Sequence, residues 1–333
     1  MHARALSDRR HPGDGGAPDP GRGRRGRVLR AAVGAAVALA VGCGGAAGVP
    51  VAAEAHARPD AQPAAPSSIH QDADDAVAYW TPERIRAAVP DDGGVTAGRT
   101  APVADAELVH SAPGRLGAQS SIGILTFLRG GQEKSCTASA IRSGSGLMVA
   151  TAGHCLVRGG ESATRIAFTP GWDGANRPYG TWGGDEYQVP DAWRSRGDAG
   201  HDAAFVRMLK RPSGPLLADA VKALTPDFGL AKAGLHYLTL GYPGSPSNLV
   251  SKPLSTCVGP AYPTGDGRLA MVGCAAEGGM SGGPLIHVST AAARGTQTGV
   301  ISTSYDGLFG VGTAVTPWGA TERRVFDDVD SFG

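Results

Sequence analysis

The sequence has little net charge, few aromatic side chains and few cysteines. Its 31 lysines and arginines nearly balance its 30 aspartates and glutamates, so the formal net charge is only +1. This balance argues against a polyanionic partner such as a nucleic acid. Phe, Trp and Tyr make up 6% of the residues, and there are 5 cysteines. No Cys-x-x-Cys or His-Glu-x-x-His spacing occurs, so we expect no metal and no other cofactor.

A hydrophobic run long enough to span a membrane comfortably is also missing from the N-terminal region. The apolar run at residues 31–41 is shorter than the roughly 20 residues of a transmembrane helix. It follows a basic stretch at 22–30 and precedes Ala-His-Ala at 55–57, a small-x-small cleavage pattern. This order is typical of a secretory signal peptide, so we expect residues 1–57 to direct secretion. A lipoprotein-type site at Cys43 remains an alternative.

Residues 58–117 lack the apolar pattern of a protein core. The part at 58–71 is rich in Pro and Ala, and this composition predicts disorder. One short helix is predicted, with Thr81 as its N-cap and Pro82 at its first position. We interpret the region as a pro-segment, or as a linker that stays attached, in front of a domain at residues 118–333.

Glycine and proline are plentiful, with 51 and 24 residues, and from residue 122 onward short strand-like runs follow one another. The first three lie at 122–128, 134–141 and 146–151. Short strands separated by turns at this spacing predict an all-β sandwich or barrel. No long amphipathic helix interrupts the region, which argues against a parallel α/β sheet.

Three stretches supply the residue types of a serine hydrolase. In Glu-Gly-Gly-Met-Ser-Gly-Gly-Pro, glycines surround Ser281 and allow close approach of backbone, so Ser281 is the predicted nucleophile. The N–H groups of Gly279 and Ser281 are the predicted oxyanion hole. His154 ends an apolar run and is the predicted base. Asp202 begins a run with the residue alternation of a strand that has one buried face, and it is predicted to orient the imidazole.

Thr-Ala-Gly-His-Cys, Asp-Ala-Ala-Phe-Val and Gly-Met-Ser-Gly-Gly-Pro, in that order, resemble the trypsin/chymotrypsin superfamily of serine proteases. The order His, Asp, Ser is that of the chymotrypsin group. Phe-Thr-Pro-Gly at 168–171 and Pro-Tyr-Gly at 178–180 are similar to the bacterial, glutamyl-endopeptidase-like branch. The resemblance covers residues 118–333. It implies an all-β fold of two six-stranded antiparallel barrels with the active site in the cleft between them. It also implies a monomeric secreted endopeptidase that cleaves proteins or peptides through an acyl-enzyme.

The cysteines fit an exported protein, in which disulfide bonds persist. Cys43 lies in the leader, and the four others allow three pairings. In the resembled family, one bridge joins the strand before the catalytic histidine to the residue just after that histidine. The resemblance therefore implies the pair Cys136–Cys155 and, as its partner pair, Cys257–Cys274.

The sequence departs from well-known members of the superfamily at two positions. Met280 replaces the Asp that animal digestive members carry before the serine, so their activation by a salt bridge to a new N-terminus is not expected. Ala275 replaces the Asp that selects Arg and Lys, so tryptic cleavage is not expected. Glutamyl-specific relatives use a histidine on the cleft strand, where Ser302 and Thr303 are the nearest residues here. A pocket of Ala275, Ser302 and Thr303 predicts a small or apolar residue before the cleaved bond.

Two other functions are compatible with the same residues. A protease fold can serve as a catalytically inactive binding protein, although here all three triad positions are filled. An esterase could use the same triad, although the His-Asp-Ser order argues against an α/β-hydrolase.

Overall fold

The computed structural model describes residues 68–91, 109–110, 119–229, 231–244, 254–274, 276–288, 295–308 and 310–332. The predictions for the signal peptide of residues 1–57, for Cys43 and for Ala275 concern residues outside this description.

The described residues form mainly short strands, with a few short helices. The strands are β1 (Ile69–His70), β2 (Val89–Pro90), β3 (Val109–His110), β4 (Ile122–Arg129), β5 (Gln132–Ile141), β6 (Met148–Thr151), β7 (Val157–Arg158), β8 (Glu161–Ser162), β9 (Thr164–Pro170), β10 (Trp182–Gln188), β11 (Ala204–Met208), β12 (Thr225–Pro226), β13 (His236–Gly241), β14 (Ser255–Pro263), β15 (Leu269–Val272), β16 (Pro284–His287), β17 (Thr296–Gly307) and β18 (Gly310–Pro317). The helices are α1 (Ala73–Tyr79), α2 (Pro82–Ala87), α3 (Gly153–Leu156), α4 (Asp191–Arg196), α5 (Leu217–Val221) and α6 (Ala320–Ser331).

Six antiparallel strands close the first barrel. Their order is β10, β11, β6, β5, β4 and β9, and β9 pairs again with β10 through Phe168 and Trp182. Alternate side chains point inward, as they must in a closed sheet, and fill the interior. The largest of these buried side chains are Phe127, Phe168, Trp182 and Tyr187. The predicted strands at 122–128, 134–141 and 146–151 correspond to β4, β5 and β6.

A second six-stranded barrel follows in the chain. Its order is β17, β16, β13, β14, β15 and β18, and β18 closes the ring on β17. Its interior includes Tyr237, Met271, Leu285 and Val315. The predicted all-β architecture of two six-stranded antiparallel barrels is thereby confirmed.

An apolar layer joins the two barrels. Ile124 and Phe205 from the first barrel belong to the same buried cluster as Leu240 and Ile286 from the second. Helix α6 contributes Phe326, whose ring centroid lies 5.6 Å from that of Phe205. Helix α6 is 12 residues long. It packs across β11 and fixes the end of the chain to the first barrel.

Residues 68–91 are more ordered than the sequence suggested. Helix α2 begins as predicted, with Thr81 Oγ1 accepting a hydrogen bond from the Arg84 N–H at 3.3 Å. Helix α1 precedes it, so the prediction of a single helix in this region is wrong. Trp80 and Ile85 are completely buried, and Trp80 Nε1 donates to the Arg165 carbonyl at 2.5 Å. The segment is packed onto the first barrel by a few large side chains. Too few of them recur along the sequence to show a periodic pattern.

Both expected disulfides are present. Cys136–Cys155 joins β5 to α3 with a Cα–Cα distance of 6.4 Å, and Cys257–Cys274 joins β14 to the loop after β15 with a Cα–Cα distance of 5.7 Å. The first bridge fixes the strand and the helix that flank the candidate site. Among the residues described, none of the helices has the length and apolar character required to cross a membrane.

Replacing Trp80 with alanine should destabilise the protein by about 3–5 kcal/mol, because a fully buried large aromatic leaves a cavity against the barrel. The free energy of unfolding in urea measures this loss. Val77→Ala is the matched control in the same segment, since Val77 is 37% exposed and its truncation should cost within about 0.5 kcal/mol. Equal stability of the two variants would show that residues 68–91 do not contribute to the folded domain.

Candidate active site

The turn between β15 and β16 carries Ser281 and needs glycine on both sides of it. Gly279 and Gly282 have φ values of +87° and +81°, which side chains rarely adopt. A Cβ at Gly282 would also lie 2.1 Å from Thr151 Oγ1 and 2.3 Å from the Thr137 carbonyl oxygen. The glycines therefore let this turn of the second barrel press directly against strands of the first. Ser281 itself is only 4% exposed.

Thr137 on β5 fixes this turn from the opposite barrel. Its N–H donates to the Ser281 carbonyl at 2.8 Å, and its Oγ1 donates to the Gly279 carbonyl at 2.8 Å. The same Oγ1 accepts from the Tyr242 N–H at 2.9 Å. Sequence reasoning missed this residue, because a threonine inside a strand next to Cys136 carries no signal of its own.

His154 and Asp202 are adjacent because β6 and β11 pair. His154 lies on α3, just after β6, and Asp202 lies just before β11, whose Ala204 pairs with Thr151. His154 Nδ1 lies 2.8 Å from Asp202 Oδ2, and the His154 backbone N–H donates to Asp202 Oδ1 at 2.7 Å. Both side chains are 1% exposed. A Cβ at Gly153 would lie 3.1 Å from Asp202 Oδ1, so the glycine before His154 leaves room for the carboxylate.

Ser302 on β17 links this pair to Ser281. Its Oγ donates to Asp202 Oδ2 at 2.6 Å, while its carbonyl accepts from Ser281 Oγ at 3.3 Å. The sequence assigned Ser302 to the substrate pocket, but its hydroxyl is directed to Asp202. Thr303, also assigned to the pocket, accepts a hydrogen bond from Arg268 Nη1 at 2.8 Å. Arg268 was not recognised in the sequence.

The second ring nitrogen of His154 has no hydrogen-bond partner among the residues that the structure describes. Nε2 is buried, and within the described part of the chain no donor or acceptor bonds to it. The imidazole thus has one nitrogen tied to a carboxylate and the other available. Serine, imidazole and carboxylate in this arrangement can activate a hydroxyl, and such hydrogen bonds often form fully only with substrate bound.

The surroundings of His154 and Asp202 favour the charged form of each side chain. Burial lowers the pKa of His154, but the charge of Asp202 and its hydrogen bond, with a further contribution from Asp91, outweigh burial and raise that pKa above 6.5. Burial raises the pKa of Asp202, but His154 and the hydrogen bond from Ser302 outweigh it, and that pKa lies below its ordinary value. The carboxylate is therefore ionised beside an imidazole that is more basic than usual.

Arg129 supports the helical turn that carries His154. Its guanidinium is buried and donates to the carbonyls of His154 and Cys155, the latter at 2.8 Å. It also forms a buried ion pair with Asp91. Arg158 Nη1 reaches the same carboxylate at 3.1 Å. Neither Arg129 nor Asp91 was recognised in the sequence.

Asp91 also touches the Ser281 turn through its backbone. Its N–H donates to the Ser135 carbonyl at 2.7 Å, and its carbonyl accepts from the Gly279 N–H at 3.3 Å. Gly279 is one of the two predicted oxyanion donors. The N-terminal segment therefore reaches the centre of the candidate site.

Cys136, His154 and Cys155 place three potential metal-binding atoms within 4.8 Å of one another. The two cysteines are joined to each other, so neither offers a thiolate, which is the form that binds metal. These three residues therefore do not make a metal site in this oxidised form.

Comparisons with known proteins identify the fold. No family model matches the sequence, and no curated protein sequence matches it either. Among solved structures, the protease Anisep from Arthrobacter nicotinovorans is similar over 65% of this chain and 98% of its own, at 30% identity and a TM-score of 0.58. AL20, a thermostable serine protease from an extremophilic microorganism, is similar over 66% of this chain and 100% of its own, at 27% identity and a TM-score of 0.58.

A Glu endopeptidase shares the fold, at 17% identity and a TM-score of 0.51, over 64% of this chain and 91% of its own. The resemblance stated from the three sequence motifs is confirmed by these structures. With 30% identity to Anisep over nearly all of that protein, the likeness extends beyond the architecture. The chain belongs to the trypsin/chymotrypsin-like superfamily of serine proteases, among its bacterial members.

Proposed function

We propose that the protein is a serine endopeptidase with Ser281 as nucleophile, His154 as base and Asp202 as the residue that orients the base. One observation carries this proposal: the buried imidazole of His154 is bonded to Asp202 through Nδ1, and its Nε2 has no partner in the described chain. Ser281 is held next to this pair through Ser302, which binds both Asp202 and Ser281.

The reaction would proceed in two halves. Ser281 Oγ attacks the peptide carbonyl while His154 Nε2 accepts its proton, and a tetrahedral intermediate forms. The N–H groups of Gly279 and Ser281 stabilise the negative charge on its oxygen. His154 then gives the proton to the leaving amine, and an acyl-enzyme remains. Water, deprotonated by His154, attacks the acyl group and releases the acid and Ser281.

The electrostatics of the pair favour this sequence of proton transfers. Each half-reaction passes through an imidazolium, and the neighbouring Asp202 carboxylate stabilises that positive charge. The raised pKa of His154 is the ground-state measure of this stabilisation. Ser302 contributes by donating a hydrogen bond to the carboxylate, which keeps it ionised.

We further propose that the enzyme is secreted as a monomer and cleaves protein substrates. Two disulfides and the signal-like leader at residues 1–57 support export. Residues 58–117 are proposed to precede the protease domain at 118–333 as a pro-segment, of which 68–91 is packed on the first barrel. A small or apolar residue before the cleaved bond remains the proposed preference.

Ser281→Ala should lower kcat/KM on a peptide library by at least about 10⁴-fold, since no other residue replaces the nucleophile. Ser213→Ala is the matched control, because Ser213 is exposed on a loop. Mass spectrometry of the products gives the residue before each cut. Cleavage that persists in Ser281→Ala would refute the proposed nucleophile. A folded wild-type protein that neither cleaves peptides nor is labelled by an organophosphonate would indicate a binding protein.

The acid limb of kcat/KM should lie above pH 6.5 in the wild type, because His154 must be neutral to accept a proton and its pKa is raised. Asp202→Asn removes the charge that raises this pKa. The limb should therefore move to lower pH, while kcat falls by about 10⁴-fold.

Rates measured from pH 5 to pH 9 on one peptide test this prediction. His70→Gln is the control, since His70 is largely exposed and lies on β1, which pairs with β10 and not with β6 or β11. A limb that moves equally in both variants, or that moves to higher pH in Asp202→Asn, would contradict the assignment of His154.

A further inference from the structure

Residues 89–91 lie along the candidate site like a bound peptide. Strand β2 pairs with β5 in parallel, with Pro90 opposite Ser135. The next residue, Asp91, uses both of its backbone groups, the N–H on Ser135 and the carbonyl on Gly279. Extended peptides bind sheet edges through backbone hydrogen bonds of this kind.

The neighbouring surface is shaped to receive this segment. A Cβ at Gly244 would lie 2.5 Å from Pro90 Cγ, and one at Gly279 would lie 3.3 Å from Pro90 Cβ. Glycine at both positions therefore lets Pro90 sit close against the second barrel, beside the turn that carries Ser281.

The side chain of Asp91 fills a site with two positive charges. Its carboxylate is 2% exposed and contacts the guanidinium groups of both Arg129 and Arg158. Arg129 is buried and Arg158 is 37% exposed, so the site reaches solvent on the side of Arg158. Hydrogen bonds between guanidinium and carboxylate are stronger than those between neutral groups. Together, the guanidinium N–H donors of Arg129 and Arg158 are suited to bind one carboxylate.

The backbone contact creates a conflict with catalysis. In the proposed mechanism the Gly279 N–H stabilises the oxyanion, yet here it donates to the Asp91 carbonyl at 3.3 Å. A substrate carbonyl that binds Gly279 must displace this carbonyl. Substrate residues near the cleaved bond would then take the position beside β5 that Asp91 occupies here.

From these contacts we propose that Arg129, Arg158 and the Ser135 edge of β5 form a subsite for an acidic substrate residue close to the cleaved bond. Asp91 of the chain itself occupies this subsite and competes with substrate. This inference rests on the proposed function, and it adds to it a preference and an internal competitor. Strand β2 runs parallel to β5. The segment that carries Asp91 therefore runs in the direction opposite to that of a peptide paired antiparallel with β5.

An internal competitor has a defined kinetic signature. The segment is anchored by the buried side chains of Trp80 and Ile85, so its effective concentration at the subsite is high. Only the fraction of molecules with an empty subsite binds substrate, so the apparent KM rises while kcat is unchanged. A residue that positions His154 would instead change kcat.

The test compares full-length wild type, Asp91→Asn, Arg158→Gln and the control Asp75→Asn. Asp75 belongs to the same segment but pairs with Arg165 outside the site. The substrates are peptide pairs that differ only in Asp or Asn, at each of three positions on either side of the cut found in the library. We expect Asp91→Asn to lower KM on neutral peptides about tenfold relative to Asp75→Asn, since loss of the Asp91 charge weakens its hydrogen bonds to Arg129 and Arg158 by roughly that factor.

At one substrate position, the peptide with Asp should have a KM about tenfold lower than its Asn partner, and Arg158→Gln should remove most of that difference. Arg158 is partly exposed, so this variant keeps the test decisive if Asp91→Asn does not fold. A fall in kcat at constant KM in Asp91→Asn would assign Asp91 a positioning role and overturn the proposal. Equal KM values for every Asp and Asn pair would overturn it as well.

Failure of this inference is distinguishable from failure of the proposed function. If wild type cleaves peptides or is labelled at Ser281 and Asp91→Asn behaves like Asp75→Asn, only the internal competitor is refuted. If none of the folded proteins, wild type, Asp91→Asn or Arg158→Gln, cleaves peptides or is labelled, the protease function is refuted. This inference is then refuted with it.

Discussion

The site depends on one constraint: an ionised carboxylate, Asp202, is buried beside an imidazole. A buried charge is costly unless it is paired and hydrogen-bonded. Asp202 receives hydrogen bonds from the His154 backbone and from Ser302, and it pairs with the His154 ring. Losing any one of these donors would leave the buried charge less well compensated, so the surrounding elements must hold their positions.

This requirement explains why both barrels contribute to a single site. His154 comes from the end of β6 and Asp202 from the start of β11, in the first barrel, while Ser302 comes from β17 in the second. The carboxylate can be satisfied only when the barrels are packed together. The apolar layer between them and helix α6 supply that packing, and the hydrogen bond from Ser139 Oγ to Gln297 Oε1, at 2.7 Å, adds a polar link.

Much of this could be predicted from the sequence, because its signals are local. Glycines around Ser281 reflect positive φ values and close contacts at that turn, and strand-length apolar runs reflect the barrels. The rest depends on contacts between distant positions. Arg129 and Asp91 are 38 residues apart, and nothing next to either one indicates the other. Ser302 was assigned to the pocket because its place on the cleft strand was clear, but the direction of its hydroxyl was not.

The position of α6 after Ser281 in the sequence has a consequence for the order of assembly. Domains emerge from the ribosome N-terminal part first. His154 and Asp202 are synthesised well before Ser281, and the aromatic contacts of Phe326 with Phe205 form only after α6 has left the ribosome. The three residues are therefore packed together only after both Ser281 and α6 have been synthesised. A nascent chain that stops before α6 lacks part of the apolar packing that holds the two barrels of the candidate site together.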